Sequence, residues 1–572
     1  MKWYKRFTVV IGNPPYTNYG QLNKIPFILE LLQDFKRGLG EKKLNLDDDF
    51  IKFIRFGQFA IQQSGVGVFG MVTNSTFLDG ITHRRMREYL LESFNCGAVL
   101  DLHGSATKKE TCPDGSKDEN VFEIKQGVAV SILARTPEAA RRSLHFGELW
   151  GLQDTKYQRL ESTTRLSQTE IVVAAPNYFF VPKSVENAEE YERGISVKDA
   201  FCESGPGIKT ERDNVGIQQT RSDMEAVIAD FKTMPVEALR TKYELGEDSR
   251  DWKVINAKAD VRENDNADRI RPVQYRPFDF QWTWYSGKTR GFIGTPGFRI
   301  GSHMSKGPNL GFVTSRTVYG PDSWRDALVT NTICEFGIMA TRPGNTAPVF
   351  PLYLYEETLA FDVGHKSIGA AQGLSKRPNF TPTFLKAIAS ALQLPQKGEH
   401  GLPAGLTPED IFHYAYAVFH SPGYRSRYAE FLKIDFPRLP LTGNLELFRA
   451  LARLGGELTA LHLLESPKLA QPITEFIGGR HPEVEKISWS RNTVWVDKAQ
   501  TTGFQGVRAD VWNFHIGGYQ VCEKWLKDRK GRTLTKDDLA HYQKIVVALS
   551  ETIRLMAEID EVIEQHGGWP LK

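Results

Sequence analysis

Phe7-Thr8-Val9-Val10-Ile11-Gly12-Asn13-Pro14-Pro15-Tyr16 runs a β-branched strand straight into a rigid, aromatic-ended turn. Residues 8–11 favour a buried strand, and Gly12 ends it by permitting a close backbone approach or an unusual φ. Pro14 and Pro15 fix φ and remove two N–H donors, so Asn13 and the carbonyls beside it are held with few local partners. A turn with spare acceptors and a terminal ring suits a planar amine. The exocyclic amino group of adenine is such an amine: the Asn13 side-chain oxygen and the Pro14 carbonyl accept its two protons while Tyr16 stacks on the base. A Pro-Pro turn that merely caps a strand is the competing reading of the same residues.

Asn13-Pro14-Pro15-Tyr16 after a hydrophobic strand resembles the catalytic motif of S-adenosylmethionine-dependent N6-adenine methyltransferases, in which those contacts orient the nitrogen lone pair toward the methyl sulfonium. Longer stretches, in a fixed order, resemble one narrower group, the Type ISP (single-polypeptide) restriction-modification enzymes. They begin with Glu41-Lys42-Lys43-Leu44-Asn45-Leu46-Asp47-Asp48-Asp49, Leu78-Asp79-Gly80-Ile81-Thr82-His83-Arg84-Arg85-Met86-Arg87 and Asp101-Leu102-His103-Gly104. They continue with Tyr275-Arg276-Pro277-Phe278-Asp279, Ser421-Pro422-Gly423-Tyr424-Arg425 and Ile516-Gly517-Gly518-Tyr519-Gln520. The resemblance implies Asn13, Pro14, Pro15 and Tyr16 as catalytic residues, S-adenosylmethionine as cofactor, double-stranded DNA as partner, and a C-terminal target recognition domain. It also places Phe122 beside the flipped base, with simple core packing as the alternative.

In that family a glycine-containing cofactor loop and acidic adenosine-binding residues lie upstream of the turn, and only 12 residues precede Asn13 here. The cofactor-binding residues are therefore unknown, and an upstream half is expected to supply them. Gly65-Val66-Gly67-Val68-Phe69-Gly70 reads as the start of another strand, because it follows the turn and no acidic residue ends a strand about 20 positions on. Protein-glutamine and RNA methyltransferases carry Asn-Pro-Pro-Tyr too, so DNA as substrate rests on the C-terminal resemblances. No Walker A loop is present, which leaves helicase and nuclease parts to be expected elsewhere.

A chain of 572 residues holds roughly two to four domains. Its 41% hydrophobic and 25% charged content is that of a soluble globular protein, with no apolar run to span a bilayer and no secretory signal, so a cytoplasmic location is expected. Cys96, Cys112, Cys202, Cys334 and Cys522 lie far apart without zinc-like spacing, and read as reduced structural thiols with no metal site. A net charge of +3 says nothing of nucleic acid unless cations cluster locally.

Over 46–62, Phe50, Phe53, Ile54, Ala60 and Ile61 recur at helical spacing, as a helix whose aromatic stripe is core. Strands follow at 68–72, 98–102 and 128–133, and the basic run from His83 to Arg87 opens a helix at a cost against the dipole, which reads either as compensated by an anion such as DNA phosphate or as a solvated surface face. Strand and helix in alternation imply a parallel sheet with its site at the strands' carboxyl ends. The loop from His103 to Asn120 carries Lys108, Lys109 and Lys117. Gly205 to Asp213 fails the P-loop test, leaving Lys209 and Arg212 as DNA-backbone contacts.

From 269 to 299 basic and aromatic residues interleave, supplying phosphate charge with planar faces; a β-rich core with exposed arginines is the competing reading. The DNA-contact candidates are Arg84, Arg85, Lys209, Arg212, Arg271, Tyr275, Arg276, Arg316, and Lys527, Arg529 and Lys530 from the densest basic cluster. His413 and His462 read as satisfied structural histidines, and 537–565 as an amphipathic packing helix. The expected fold class is α/β, a partial Rossmann-like methyltransferase sheet followed by a mixed α+β target recognition domain with helical C-terminal segments. The expected domains are 1–190, the C-terminal half of a methyltransferase domain; 191–400, a β-rich recognition domain; and 401–572, a helical and mixed remainder of the specificity region.

Overall fold

The computed structural model describes residues 6–16, 23–39, 45–107, 110–137, 142–162, 168–183, 186–316, 324–339, 346–359, 372–479 and 481–571. Glu41, Lys42, Lys43, Leu44, Lys108 and Lys109, singled out above, lie outside them. The chain divides into two compact units, one of Met1–Glu186 and one of Asn187–Val318 with Ser323–Lys572.

In the first unit β1 (Val9–Gly12) pairs in parallel with β2 (Gly67–Asn74), Val9 lying opposite Val68. The six-stranded sheet continues through β4 (Val128–Arg135), β3 (Cys96–Asp101), β5 (Ser143–Glu148) and β6 (Thr169–Glu170). β3 and β5 are parallel, while β4 is antiparallel to both β2 and β3, and β6 to β5. The sheet is thus mixed, where alternation predicts a parallel one. Among the described residues, the segment joining β3 to β4 holds no helix that would return the chain to the starting end of the sheet, and β4 runs straight back.

One face of this sheet is packed by helices. Phe69, Met71, Val99, Leu133, Leu144 and Phe146 are buried with Leu32 and Phe35, with Phe50, Ile51, Ile54 and Ile61 of α3 (Asp49–Ser64), and with Met86 and Leu90 of α4 (Arg84–Ser93). Burial of each such side chain contributes roughly 1.5–3 kcal/mol. The opposite face is open at the β1 end, where Val9 is 56%, Ile11 82%, Val68 40% and Ile132 52% exposed. Phe53 is also exposed, at 44%, so part of the aromatic stripe expected in the core faces solvent.

Gly67 shows why β1 and β2 lie so close: its φ is +154°, and a Cβ there would meet the Thr8 carbonyl oxygen at 2.5 Å. Gly65 is the left-handed C-cap of α3. These glycines serve helix termination and strand approach.

The second unit has one hydrophobic core from Tyr191 to Ile563, so the expected boundary near residue 400 has no counterpart in the packing. Phe312 stacks on Phe419 with ring centroids 5.4 Å apart, joining a short strand to the helix Pro408–His420 across that boundary. Pro408–His420, Leu445–His462 and Lys536–Gln565 pack together, and the first and last start with capping boxes, Thr407/Asp410 and Thr535/Asp538. His462 is buried between the Tyr416 hydroxyl and Thr552 Oγ1, a satisfied core histidine.

The family-like stretches of this unit are clasps. Phe278, at φ +60°, turns the strand Ile270–Arg276 into Asp279–Trp284. Its carbonyl accepts from His541 Nε2 at 2.8 Å, while Asp279 takes Arg529 at 2.9 Å, with both side chains buried. The Ser421 hydroxyl and the Gly423 N–H both donate to the Asp560 carboxylate. Gly517 makes the tight hairpin turn, where a Cβ would strike the Met339 carbonyl oxygen at 2.3 Å.

Asp279→Ala removes the hydrogen-bonded carboxylate of the buried Arg529 guanidinium and leaves it Asp538 at 3.7 Å and the Trp525 carbonyl; breaking a buried pair on one side costs roughly 3–5 kcal/mol. Urea unfolding of the chain should show that loss, with Asp279→Leu/Arg529→Met recovering most of it; a loss under about 1 kcal/mol for the single change means the pair does not hold this turn.

Candidate functional site

β1, β2, β3 and β5 all point the same way, so the residues after them gather at one end of the sheet. Asn13 to Tyr16 follow β1 directly. Asn13 is exposed, Pro14 buried, Pro15 exposed and Tyr16 half-buried. The Tyr16 hydroxyl donates to Asn13 Oδ1 at 3.1 Å, and burial pushes its pKa up to about 12, so it stays a donor at neutral pH. An amide oxygen has two lone pairs, so Asn13 Oδ1 can hold the hydroxyl and accept a second proton.

Tyr16 packs on a small cluster formed by Leu100, Leu102, Val121, Val128 and Leu149, which Phe122 also joins. The two rings face each other at 5.8 Å between centroids with planes inclined by 50°. The structure therefore brings together Asn13, Pro14, Pro15, Tyr16 and Phe122.

Phe122 sits on a well-tied loop between β3 and β4. Asn120 Oδ1 accepts the Phe122 N–H at 2.9 Å, and Asn120 Nδ2 donates to the carbonyls of Gly104, Ile124 and Gln126. Gly104, at φ +82°, lets Asn120 approach, since a Cβ there would meet Asn120 Cα at 2.4 Å. Beneath the loop Lys156 and Asp118 form a wholly buried pair at 2.7 Å. At its base His103 stacks on Trp150 among Asp101, Glu110 and Glu148. Sequence reasoning assigns this histidine no role. The signal for it is an Asp at a strand's carboxyl end with His and Gly two and three positions on.

The DNA-contact candidates are scattered and mostly engaged. Arg84 donates to the carbonyls of Leu39 and Ile81, and Arg85 pairs with Glu88 at 2.5 Å. Arg87, fully buried, donates to the carbonyls of Phe77, Gly80, Asn177 and Tyr178, so backbone oxygens and not an external anion compensate this part of the run. Lys209 pairs with Glu211, and Arg212 lies over Trp252 while donating to the Leu245 and Glu247 carbonyls. Tyr275 donates to Asp213 at 2.9 Å, and Arg276, 3.8 Å over the Tyr275 ring, binds Glu335 at 2.5 Å. Arg316 pairs with Asp435.

Arg271 donates to the Ser305 carbonyl and lines a cavity of about 390 Å³ with Lys306, Asn331 and Thr332. Arg529 departs from expectation: it is 5% exposed, paired with Asp279 and laid over Trp525 at 3.6 Å, so no phosphate reaches it. Lys527 and Lys530 of the same cluster are exposed.

Among the described residues, the end of β1 and β2 offers no glycine loop and acidic pair for a nucleoside cofactor, and no group of three His, Cys, Asp or Glu is placed to hold a metal ion. No helix is long and apolar enough to cross a membrane among those residues.

Residues 1–107 match the model of the Eco57I restriction-modification methylase, and residues 199–558 that of the Type ISP C-terminal specificity domain. A comparison with curated proteins finds no match. Among solved structures, the ATP-dependent Type ISP restriction-modification enzyme LlaBIII bound to DNA is similar, at 20% identity and TM-score 0.67, over 96% of this chain and 37% of that one. The DrdV–DNA complex is similar at 20% identity and TM-score 0.67, over 97% and 57%. A nuclease-deletion mutant of LlaGI with a DNA substrate mimic follows at 17% and 0.64, over 97% and 44%. The chain thus spans from 37% to 57% of these larger chains and shares their fold. With a methylase-like region ahead of a specificity region that fills most of its length, the chain belongs to the family of the Type ISP C-terminal specificity domain.

Proposed function

We propose that this chain is the acceptor and recognition part of a site-specific DNA adenine-N6 methyltransferase of a restriction-modification system. The observation that carries the reading is the Asn13–Tyr16 turn at the shared carboxyl end of the sheet, with Tyr16 facing Phe122 at 5.8 Å. Adenine N6 is paired and stacked inside a duplex, so the base is extruded at a cost of a few kcal/mol. Tyr16 replaces the lost stacking, and Phe122, packed against the Tyr16 ring, lines the edge of the space. Asn13 Oδ1 and the Pro14 carbonyl accept the two amino protons, which raises electron density on nitrogen and aligns its lone pair for in-line attack. No general base is needed, because the proton leaves after nitrogen has bonded.

S-adenosylmethionine, the methyl donor this class of enzyme uses, supplies an electrophilic methyl group. The described residues do not make its cradle. Support for a joining point comes from β1, an edge strand with apolar side chains exposed on one face and Phe53 exposed on α3. A polypeptide adding a parallel strand there covers that surface and brings cofactor residues to the same carboxyl end. The specificity region is proposed to read the target. Lys209, Lys527 and Lys530 are its backbone contacts, with Arg271 at the cavity beside Asn331 as a reader of base edges.

The competing reading is a recognition module without catalysis of its own, favoured by the same open edge. Calorimetry separates the two: a chain that retains duplex DNA but takes up no S-adenosylmethionine, even beside its natural partners, is the module.

Asn13→Ala introduced at the native locus should lower N6-methyladenine at the host's modified sites by roughly 10²–10³-fold in single-molecule sequencing, the scale of removing one transition-state interaction. Unchanged methylation sinks the assignment. Lys527→Glu/Lys530→Glu should weaken duplex DNA binding nearly equally across sequences and flatten the salt slope by about one for each phosphate left without its lysine. An unaltered slope removes these lysines from the interface.

A further inference from the structure

Asp101-Leu102-His103-Gly104 marks the end of β3, and nothing in the proposed chemistry uses it. His103 is 8% exposed and sits at φ +52°, a backbone conformation that a non-glycine residue keeps only when its surroundings insist. Its backbone closes the loop that carries Phe122: the Val128 N–H donates to the His103 carbonyl, and the Leu102 N–H donates to the Val128 carbonyl.

The side chain joins three segments. Nδ1 faces Asp101 Oδ2 of β3 at 3.7 Å and Glu110 Oε1 of the loop at 3.9 Å; Nε2 faces Glu148 Oε2 at the end of β5 at 3.4 Å. The ring lies flat on Trp150, just past β5, with centroids 3.4 Å apart and planes 13° apart. A neutral imidazole donates from one nitrogen only and an imidazolium from both. Here both nitrogens meet carboxylate oxygens, which at neutral pH only accept. The indole face also favours a cation. Glu110 in turn accepts the Ser105 N–H, so the same carboxylate ties histidine and loop backbone.

We propose that His103 is a positioning residue: as an imidazolium it braces β3, the Phe122 loop and the end of β5 together, and so fixes Phe122 opposite Tyr16. The positioning role rests on the adenine-site reading above, whereas the brace does not. Burial works against the charge, but Glu110, Asp101 and Glu148 outweigh it and hold the pKa of His103 above its ordinary value. The sign follows: a raised folded pKa contributes stability fully present below the unfolded value of about 6.5 and lost as pH rises through the higher folded value. While the three carboxylates are ionised, the loop is thus firmest below about pH 6.5 and loosens as pH rises through the higher folded value.

The test reads the brace directly. A protonated imidazole stacked on indole quenches its fluorescence, so the emission difference between the wild-type chain and Trp150→Phe, followed against pH, reports the charge on His103. We expect a midpoint above about 6.5; His103→Gln should abolish the transition and Glu148→Gln should lower its midpoint. Hydrogen exchange of the amides of residues 121–126 in the wild-type chain should speed up by roughly tenfold through the same midpoint, beyond the intrinsic pH dependence of exchange, and His103→Gln should be fast throughout.

A midpoint at or below the ordinary histidine value overturns the proposal, as does loop exchange that ignores both pH and His103→Gln. Because the exchange titration of the wild-type chain needs no variant to fold, that result stands even if Trp150→Phe or His103→Gln is unstable. If these readouts hold while Asn13→Ala leaves methylation unchanged, the brace survives and the adenine-site reading alone falls.

Discussion

A strand in a parallel arrangement has two faces and two edges to satisfy, and β1 is satisfied on only part of them. β2 takes one edge, and Val10 packs on the helical side. Val9 and Ile11 stand in solvent, each worth roughly 1.5–3 kcal/mol if buried. The catalytic-type turn hangs from the end of this strand. The position of Asn13 Oδ1 and the Pro14 carbonyl is therefore held by one strand ladder, by Val10 on the helical side, and by the Tyr16 hydroxyl and the cluster on which that ring packs. On the proposed function, a polypeptide added beside β1 would tighten Asn13 Oδ1 and the Pro14 carbonyl as it buries Val9 and Ile11.

The other half of the site is held differently. Tyr16 leans on Leu100, Leu102, Val121 and Leu149, and Phe122 on a loop whose turns are pinned by side chains. Asn120 satisfies three carbonyls and one N–H, Lys156 donates to the Leu102 and Glu119 carbonyls from a fully buried position, and Gly104 permits the close approach. A loop of this length would otherwise cost conformational entropy each time it is ordered. Its polar anchors let an irregular segment present an aromatic ring as steadily as a strand would.

Much of this was legible in the residues. Strand 8–11 and its turn, the helix around 46–62, the strands near 68–72, 98–102 and 128–133, and the last helix all lie within a few positions of β1, α3, β2, β3, β4 and Lys536–Gln565. Their periodicities are local, and local signals survive. The direction of β4 was not legible, because residues 128–133 have the same composition whether the strand runs up or down. Exposure of Phe53 was not, because a helical stripe records what is apolar and not what is available to cover it. Arg529 looks like surface in a basic run, and only the fold reveals Asp279 and Trp525 waiting 250 and 4 positions away. The role of His103 was hidden too, since its three carboxylates come from three different segments.

The fate of the arginines bears on how DNA can be held. Arg87 and Arg529 are buried, and Arg276 half-buried, on carbonyls, carboxylates and rings, a use that suits a weakly hydrated planar cation better than an ammonium. Lys527 and Lys530 face solvent. Lysine acts as a flexible point charge, so a surface built on it grips phosphates with a strong salt dependence and little information about sequence. Base reading then has to come from a few polar side chains in a concave place. Arg271 and Asn331, lining one cavity of about 390 Å³, are the described residues among these candidates that meet both conditions. On the proposed function, a nearly neutral chain binds a polyanion by giving affinity and specificity to different residues, neither of which needs a large net charge.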